Sequence, residues 1–262
     1  MKKYYLFVTL LLGLQAMAIN AQAAEDKQSS TSATNAGAVW KEPKTGMEFV
    51  WVPAGCFDMG VNAAEMEKPV HKVCVNGFWM GRYEVTQKQY QQLIGSNPSV
   101  FKGPNNPVDS VSWHDASAFV EKMSKATGTK VSLPSEAQWE YACSVGGVLK
   151  DYCGVGAVEK LGWFLDNSKM TTHPVGELGA NVWGLYDMSG NVWEWMQDCG
   201  NFNYKGAPVD GSAWETGNCS LRIARGGAWN NTSDTLHVSH RRVDDTGGRD
   251  FINGIRVVRA LP

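Results

Sequence analysis

Two carboxylates, Asp187 and Glu194, stand inside the stretch Gly184 to Trp195, G-L-Y-D-M-S-G-N-V-W-E-W, with the turn-forming pair Gly190-Asn191 between them. A tight reversal there lets both side chains and the exposed carbonyls of Gly190 and Val192 converge on one point. Calcium takes about six to eight oxygens from such groups, so Asp187, Gly190, Val192 and Glu194 form a candidate Ca2+ nest. The competing reading is that both acids are solvated or paired with arginines. The stretch is too rich in glycine and tryptophan for an ordinary strand or helix and reads as a packed turn, in which Tyr186, Trp193 and Trp195 each offer an apolar body with a polar tip.

The six cysteines, Cys56, Cys74, Cys143, Cys153, Cys199 and Cys219, carry the second kind of chemistry. Their even number and the lack of any C-x-x-C spacing favour disulfides over a metal cluster or a reactive thiol. They fall into three sequence-local pairs, Cys56–Cys74, Cys143–Cys153 and Cys199–Cys219, each closing a short loop worth about 3 kcal/mol in the chain-entropy account.

Disulfides imply an oxidising compartment, and the N-terminus agrees. Met1-Lys2-Lys3, an apolar run from Tyr4 to Leu14 and the small-residue sequence Ala21-Gln22-Ala23 read as a secretory signal over residues 1–23. That run is short for a membrane span, so a soluble secreted product is expected, with no membrane insertion. Residues 24–38, rich in Ser, Thr, Ala and Gln, read as a disordered leader, and residues 39–262 as a single domain. The 24 basic and 26 acidic residues are nearly balanced and scattered, which gives no electrostatic footprint for nucleic acid.

Alternating patterns predict strands over Met47–Val52, Cys56–Gly60, Val70–Val75 and Gly77–Tyr83. Thr86 caps a helix that Gly95 stops. Ser112 or Asp115 caps a second from Ala116 to Ala126, and Ser135 caps a short one through Tyr141. After Cys143 the chain is glycine- and tryptophan-rich, with strand-like order returning at Leu221–Trp229 and Gly254–Val258. The fold class is α+β: low regular secondary structure, two main helices packed on mixed sheet.

Taken together, F-V-W-V-P-A-G-C-F-D-M-G (Phe49 to Gly60), Y-E-V-T (Tyr83 to Thr86), P-V-D-S-V-S-W-H-D-A (Pro107 to Ala116), L-P-S-E-A-Q-W-E-Y-A (Leu133 to Ala142), the opening stretch, R-G-G-A-W (Arg225 to Trp229) and N-G-I-R (Asn253 to Arg256) resemble the formylglycine-generating enzyme, or sulfatase-modifying factor, family. The resemblance runs from about Gly46 to Arg259 and implies a variant of the C-type lectin fold. It also implies calcium at Asp187, Gly190, Val192 and Glu194. A second family calcium site near Asn167 and Ser168 would need an acidic ligand from a segment that is shortened here, between Ser168 and His173.

The resemblance places two copper-binding cysteines a few residues after R-G-G, because soft Cu(I) prefers thiolates. Asn231 and Leu236 occupy those positions, so no copper is expected and the cysteine oxidase chemistry of the family lacks its ligands. What remains in the homologous groove is Trp229, Asn230, Asn231, Asp234, His237, His240, Arg241 and Arg242. Trp229 can stack on a ligand, Asn231 can hydrogen-bond, His240 can act as acid or base, and Arg241 or Arg242 can clamp a carboxylate. Structural roles compete with each of these: Arg241 as partner to a buried acid, Trp229 as core. His237 and His240 are also spaced for a two-histidine metal site. A periplasmic protein that recognises a protein or peptide partner, for maturation, chaperoning or neutralisation, is the expectation; an enzyme of different chemistry, resembling a pyoverdine-maturation branch of the family, or a residual formylglycine-generating oxidase, is the alternative.

Overall fold

The structure, a computed structural model, describes residues 36–260; the expected signal segment and most of the leader lie outside the described residues. Gly37 and Ala38, at the end of the expected leader, already pair with Trp51 through main-chain hydrogen bonds of 3.0 and 2.9 Å.

Aromatic and β-branched alternation builds a five-stranded antiparallel sheet. Its strands are β1 (Val39–Lys41), β2 (Glu48–Val52), β5 (Phe78–Gly81), β11 (Val258–Ala260) and β6 (Val131–Ser132), in the spatial order β1-β2-β5-β11-β6. A hairpin of β3 (Gly55–Met59) and β4 (His71–Val75) places Cys56 directly opposite Cys74. A second sheet has the order β10-β7-β8-β9, from β7 (Trp193–Gly200), β8 (Asn218–Arg225), β9 (Arg241–Asp245) and β10 (Asn253–Gly254), with β10 parallel to β7.

Three α-helices occur among the described residues: α1 (Gln87–Ile94), α2 (Trp113–Thr127) and α3 (Glu136–Cys143). Each begins with a capping box, Thr86 with Gln89, Ser112 with Asp115 and Ser135 with Gln138. Gly95 and Gly128 end α1 and α2 in left-handed conformation. Helices α1 and α2 meet through the stacked rings of Tyr90 and Phe119, 5.5 Å apart. Helix α3 is buried almost throughout, including its two acids Glu136 and Glu140. None of these helices is long and apolar enough to cross a membrane.

All three expected disulfides are present, with sequence separations of 18, 10 and 20 residues. Three expectations are corrected. The stretch Gly184–Trp195 is a turn only as far as Val192, since Trp193 opens the eight-residue strand β7. The strand expected over Leu221–Trp229 runs instead from Asn218 to Arg225, because Gly226 and Gly227, both at positive φ, turn the chain out of the sheet. The strand expected over Gly254–Val258 is not continuous, since Gly254 ends β10 and Val258 opens β11. The sequence R-R-V-D-D, for which no element was expected, forms strand β9, paired residue by residue with β8.

Candidate functional site

The turn before β7 owes its shape to residues in left-handed conformation, Gly184, Asp187, Gly190 and Asn191. At Gly190 a Cβ would lie 2.3 Å from the Trp163 carbonyl oxygen, so only glycine fits. The Asn191 amide braces the turn, donating to Glu84 Oε2 at 2.7 Å and to the His173 carbonyl at 3.2 Å.

Three carboxylates are buried around this turn: Glu84, Asp187 and Glu194. Glu194 is held by Arg256 at 2.7 to 2.9 Å and receives the Trp139 indole N–H at 2.6 Å. Pairing with an arginine, the competing reading from the sequence, is therefore what the structure shows for Glu194. Asp187 Oδ2 accepts the Gly176 N–H at 2.7 Å, but its Oδ1 is buried without a partner. Burial, with the charge of neighbouring Glu194 adding to it, pushes the Asp187 carboxyl up to about 6. Burial likewise raises Glu84 well above the usual carboxylate range, and the charges of Asp187 and Glu194 reinforce the shift. Three acids thus share one guanidinium.

The second sheet sorts the groove residues by face. Across β7, β8 and β9, Glu194, Arg225 and Arg241 are in register, and so are Trp195, Ala224 and Arg242. Alternation sends the two sets to opposite faces, which separates the adjacent pair Arg241-Arg242. Arg241 enters the interior, where it binds Glu136 at 2.7 and 2.6 Å and the carbonyls of Met66 and Asn201. Its donors are spent on the protein, so it is a structural partner of Glu136 and is not placed to clamp a ligand. Arg225 is fully buried beside it, paired with Glu136 and Glu140. Burial alone would raise the Glu136 carboxyl; Arg241 and Arg225 outweigh that and hold it below its ordinary value. Asp198 accepts the Glu136 and Trp214 N–H groups, both at 2.8 Å, and burial beside Glu136 lifts it to about 7.

The remaining predicted residues divide among three settings. Trp229 is nearly buried and packs against Phe101 and Phe251, with ring centroids 5.1 and 5.8 Å away; Phe251 and Val100 at the edge of this group are exposed. Its neighbour Asn230 has a buried side-chain oxygen without a partner.

At the two positions after R-G-G, Asn231 closes a turn by accepting the Ala228 N–H at 2.9 Å, and Leu236 is fully buried. Asp234 accepts the Thr232 hydroxyl, and His237 stacks on Tyr152 at 4.8 Å with Nδ1 beside the Asp151 carbonyl.

His240 immediately precedes β9, its ring 5.9 Å from that of Trp193 and its Nδ1 3.6 Å from Glu67 Oε1. Burial lowers its pKa from the ordinary value. Arg242 reaches Asp244 at 2.6 Å and Asp250 at 3.1 Å.

Among the described residues no three His, Cys, Asp or Glu side chains gather closely enough to hold a metal ion. The calcium set expected from the sequence has only two carboxylates and depends on main-chain oxygens as well. The sequence reading missed Glu67, Glu84, Glu136 and Glu140. The last three lie within quoted motifs, but their arginine and amide partners are 85 to 107 residues away.

Comparison with known proteins gives a consistent picture. The family described as "Sulfatase-modifying factor enzyme 1-like domain" matches residues 35–261. The chain is 30% identical over 240 residues to Chaperone protein LppX of Paenibacillus barcinonensis, covering 72% of this chain and 82% of that protein. It is 28% identical over 149 residues to the formylglycine-generating enzyme of Streptomyces coelicolor, spanning only 46% of its length. The structure of PvdO from Pseudomonas aeruginosa superposes with a TM-score of 0.77 at 31% identity, over 86% of this chain and 98% of that one.

Proposed function

The chain belongs to the sulfatase-modifying factor family, and from that premise we propose that it is an extracytoplasmic member that works by recognising a protein or peptide partner. The observation that carries this reading is the group Phe101, Trp229 and Phe251. Three aromatic rings from three loops meet, with Phe251 45% and Val100 57% exposed. An exposed aromatic edge on a fixed aromatic cluster suits the apolar side chains of an extended peptide. The likeness to a protein named as a chaperone supports the same reading, and the three disulfides fit a secreted, periplasmic setting.

Thiol-based oxidation has no support in these residues. All six cysteines are consumed by disulfides, and an amide engaged in a turn and a buried leucine stand where the family's thiolates would be. Neither side chain suits Cu(I).

A calcium ion fits the turn in part. Asp187 Oδ1 is a buried acceptor without a donor, amid three carboxylates balanced by one arginine. Asp187 and the carbonyls of Gly190 and Val192 would hold the ion, and Glu194 would join by releasing a bond to Arg256 or Trp139. When bound, the ion neutralises charge and fixes the turn.

The test is capture of periplasmic proteins on the immobilised mature chain. Partners retained by the unaltered chain are expected to be lost from Phe251→Ser and kept by Phe202→Ser, which alters a phenylalanine 59% exposed elsewhere. Equal loss, or equal retention, by the two variants would refute the recognition site. A second reading, an enzyme with chemistry of its own, is favoured by one observation: His240 has a carboxylate at its Nδ1.

A further inference from the structure

We propose that Glu67 is a positioning residue that holds His240 in the Nδ1–H tautomer, leaving Nε2 as a proton acceptor for a ligand carrying a weakly acidic O–H or N–H. This rests on the second reading above and gives it a specific chemistry.

Glu67 comes from a 3-10 turn, Glu65–Glu67, more than 170 residues before His240, and is nearly buried. One of its oxygens accepts the Ser239 hydroxyl at 3.0 Å. The other stands 3.6 Å from His240 Nδ1, a few tenths of an ångström beyond a formed hydrogen bond. The main chain of His240 is anchored as well, since its carbonyl accepts from the buried Arg225 at 2.6 Å and its N–H donates to the His237 carbonyl. Its side chain is nevertheless 36% exposed. A fixed carboxylate behind a half-exposed imidazole is the arrangement that selects a tautomer and stabilises the imidazolium formed when a proton arrives. The charges around the ring are mixed: Glu67 and Asp234 favour the cation, while Arg225 and His237 oppose it.

The step balances without a further reactant. The Nε2 lone pair takes the proton, the ligand keeps the bonding electron pair as an anion, Glu67 faces the new imidazolium, and the proton returns to product or solvent.

Nitrogen-15 NMR of the mature chain reads this without any ligand, with His240→Asn used to assign the signal. The Nδ1–H tautomer is expected to dominate in the unaltered protein. Glu67→Gln should lower the His240 pKa by about one unit through loss of the facing charge, and Glu67→Ala should let the Nε2–H form take over. A dominant Nε2–H tautomer in the unaltered protein, or a pKa and tautomer ratio indifferent to both substitutions, would overturn the proposal. A merely structural Glu67 would change stability and leave the tautomer alone. Failure of this test leaves the peptide-capture result untouched, so the two readings fall separately.

Discussion

Two buried ionic centres lie side by side in this molecule and handle excess negative charge in opposite ways. In the centre around α3, Glu136 and Glu140 meet Arg225 and Arg241, and the additional acid Asp198 is satisfied by two main-chain N–H groups. In the centre at the turn, Glu84, Asp187 and Glu194 share Arg256, and one oxygen of Asp187 is left without a donor. Trp139 joins them: Arg225 lies 5.1 Å from its ring, and its indole N–H binds Glu194. In charge the first centre is complete, its two glutamates facing two arginines although Arg225 Nε, 3.5 Å from Glu136, has no hydrogen-bond partner, whereas the second leaves an acceptor open of the kind a cation fills. Buried acids are tolerable when opposite charge faces each of them, so this contrast separates scaffold from site.

The largest effect should come from breaking the complete centre. Arg225→Met strands Glu136 and Glu140 in the interior and is expected to cost about 3–5 kcal/mol in urea unfolding with disulfides intact. A cost below about 1 kcal/mol would mean that water reaches this centre and that it is not the closed scaffold described.

The incomplete centre should respond to calcium instead. Saturation at about a hundred times Kd is expected to add about 2.7 kcal/mol, or roughly 5–10 °C in Tm for a domain of this size. Asp187→Asn should abolish the increment, and a Tm indifferent to chelator and to added calcium would remove the ion from the account.

A pH profile sharpens the comparison further. Asp198 titrates near 7 in the fold against 3.8 ordinarily. Between those values the folded chain holds a proton that the unfolded chain has released, so its contribution to stability falls as pH rises from about 4 to about 7 and levels off above. The drop should be on the order of 1–3 kcal/mol. In Asp198→Asn the drop should shrink by that amount, the remainder belonging to Asp187 and Glu84, whose carboxyls are also raised, which denaturation midpoints across that range would reveal. The smallest effect belongs to the half-exposed end of β9: Arg242→Ala, whose ion pairs are partly exposed, should change stability by about 0.5 kcal/mol or less.

What could be read from the sequence was what is encoded locally. Thr86, Ser112 and Ser135 announce their helices because a capping box spans four residues, and the disulfides pair as expected because each joins near neighbours. Strand β9 was hidden because Arg241, Arg242, Asp244 and Asp245 look like a solvated run. Only its register against β8 shows that the two arginines go to opposite faces of the sheet. Similarly, nothing near Glu136 or Glu140 in the sequence signals that their partners are Arg241 and Arg225. Of the groove, the sequence supplied the residue types but not the division of Trp229, Asn231 and His240 into separate surroundings, which depends on where Phe101, Ala228 and Glu67 arrive from other parts of the chain.

The span of the α3 ion pairs has a consequence for biogenesis. Glu136 binds an arginine 105 residues downstream, and Glu140 binds one 85 residues downstream. A chain made N-terminus first therefore delivers both acids well before either cation, and until Arg225 and Arg241 emerge these glutamates belong in water. Helix α3 can then bury itself only after strand β9 is available, so its docking waits for a late segment of the domain.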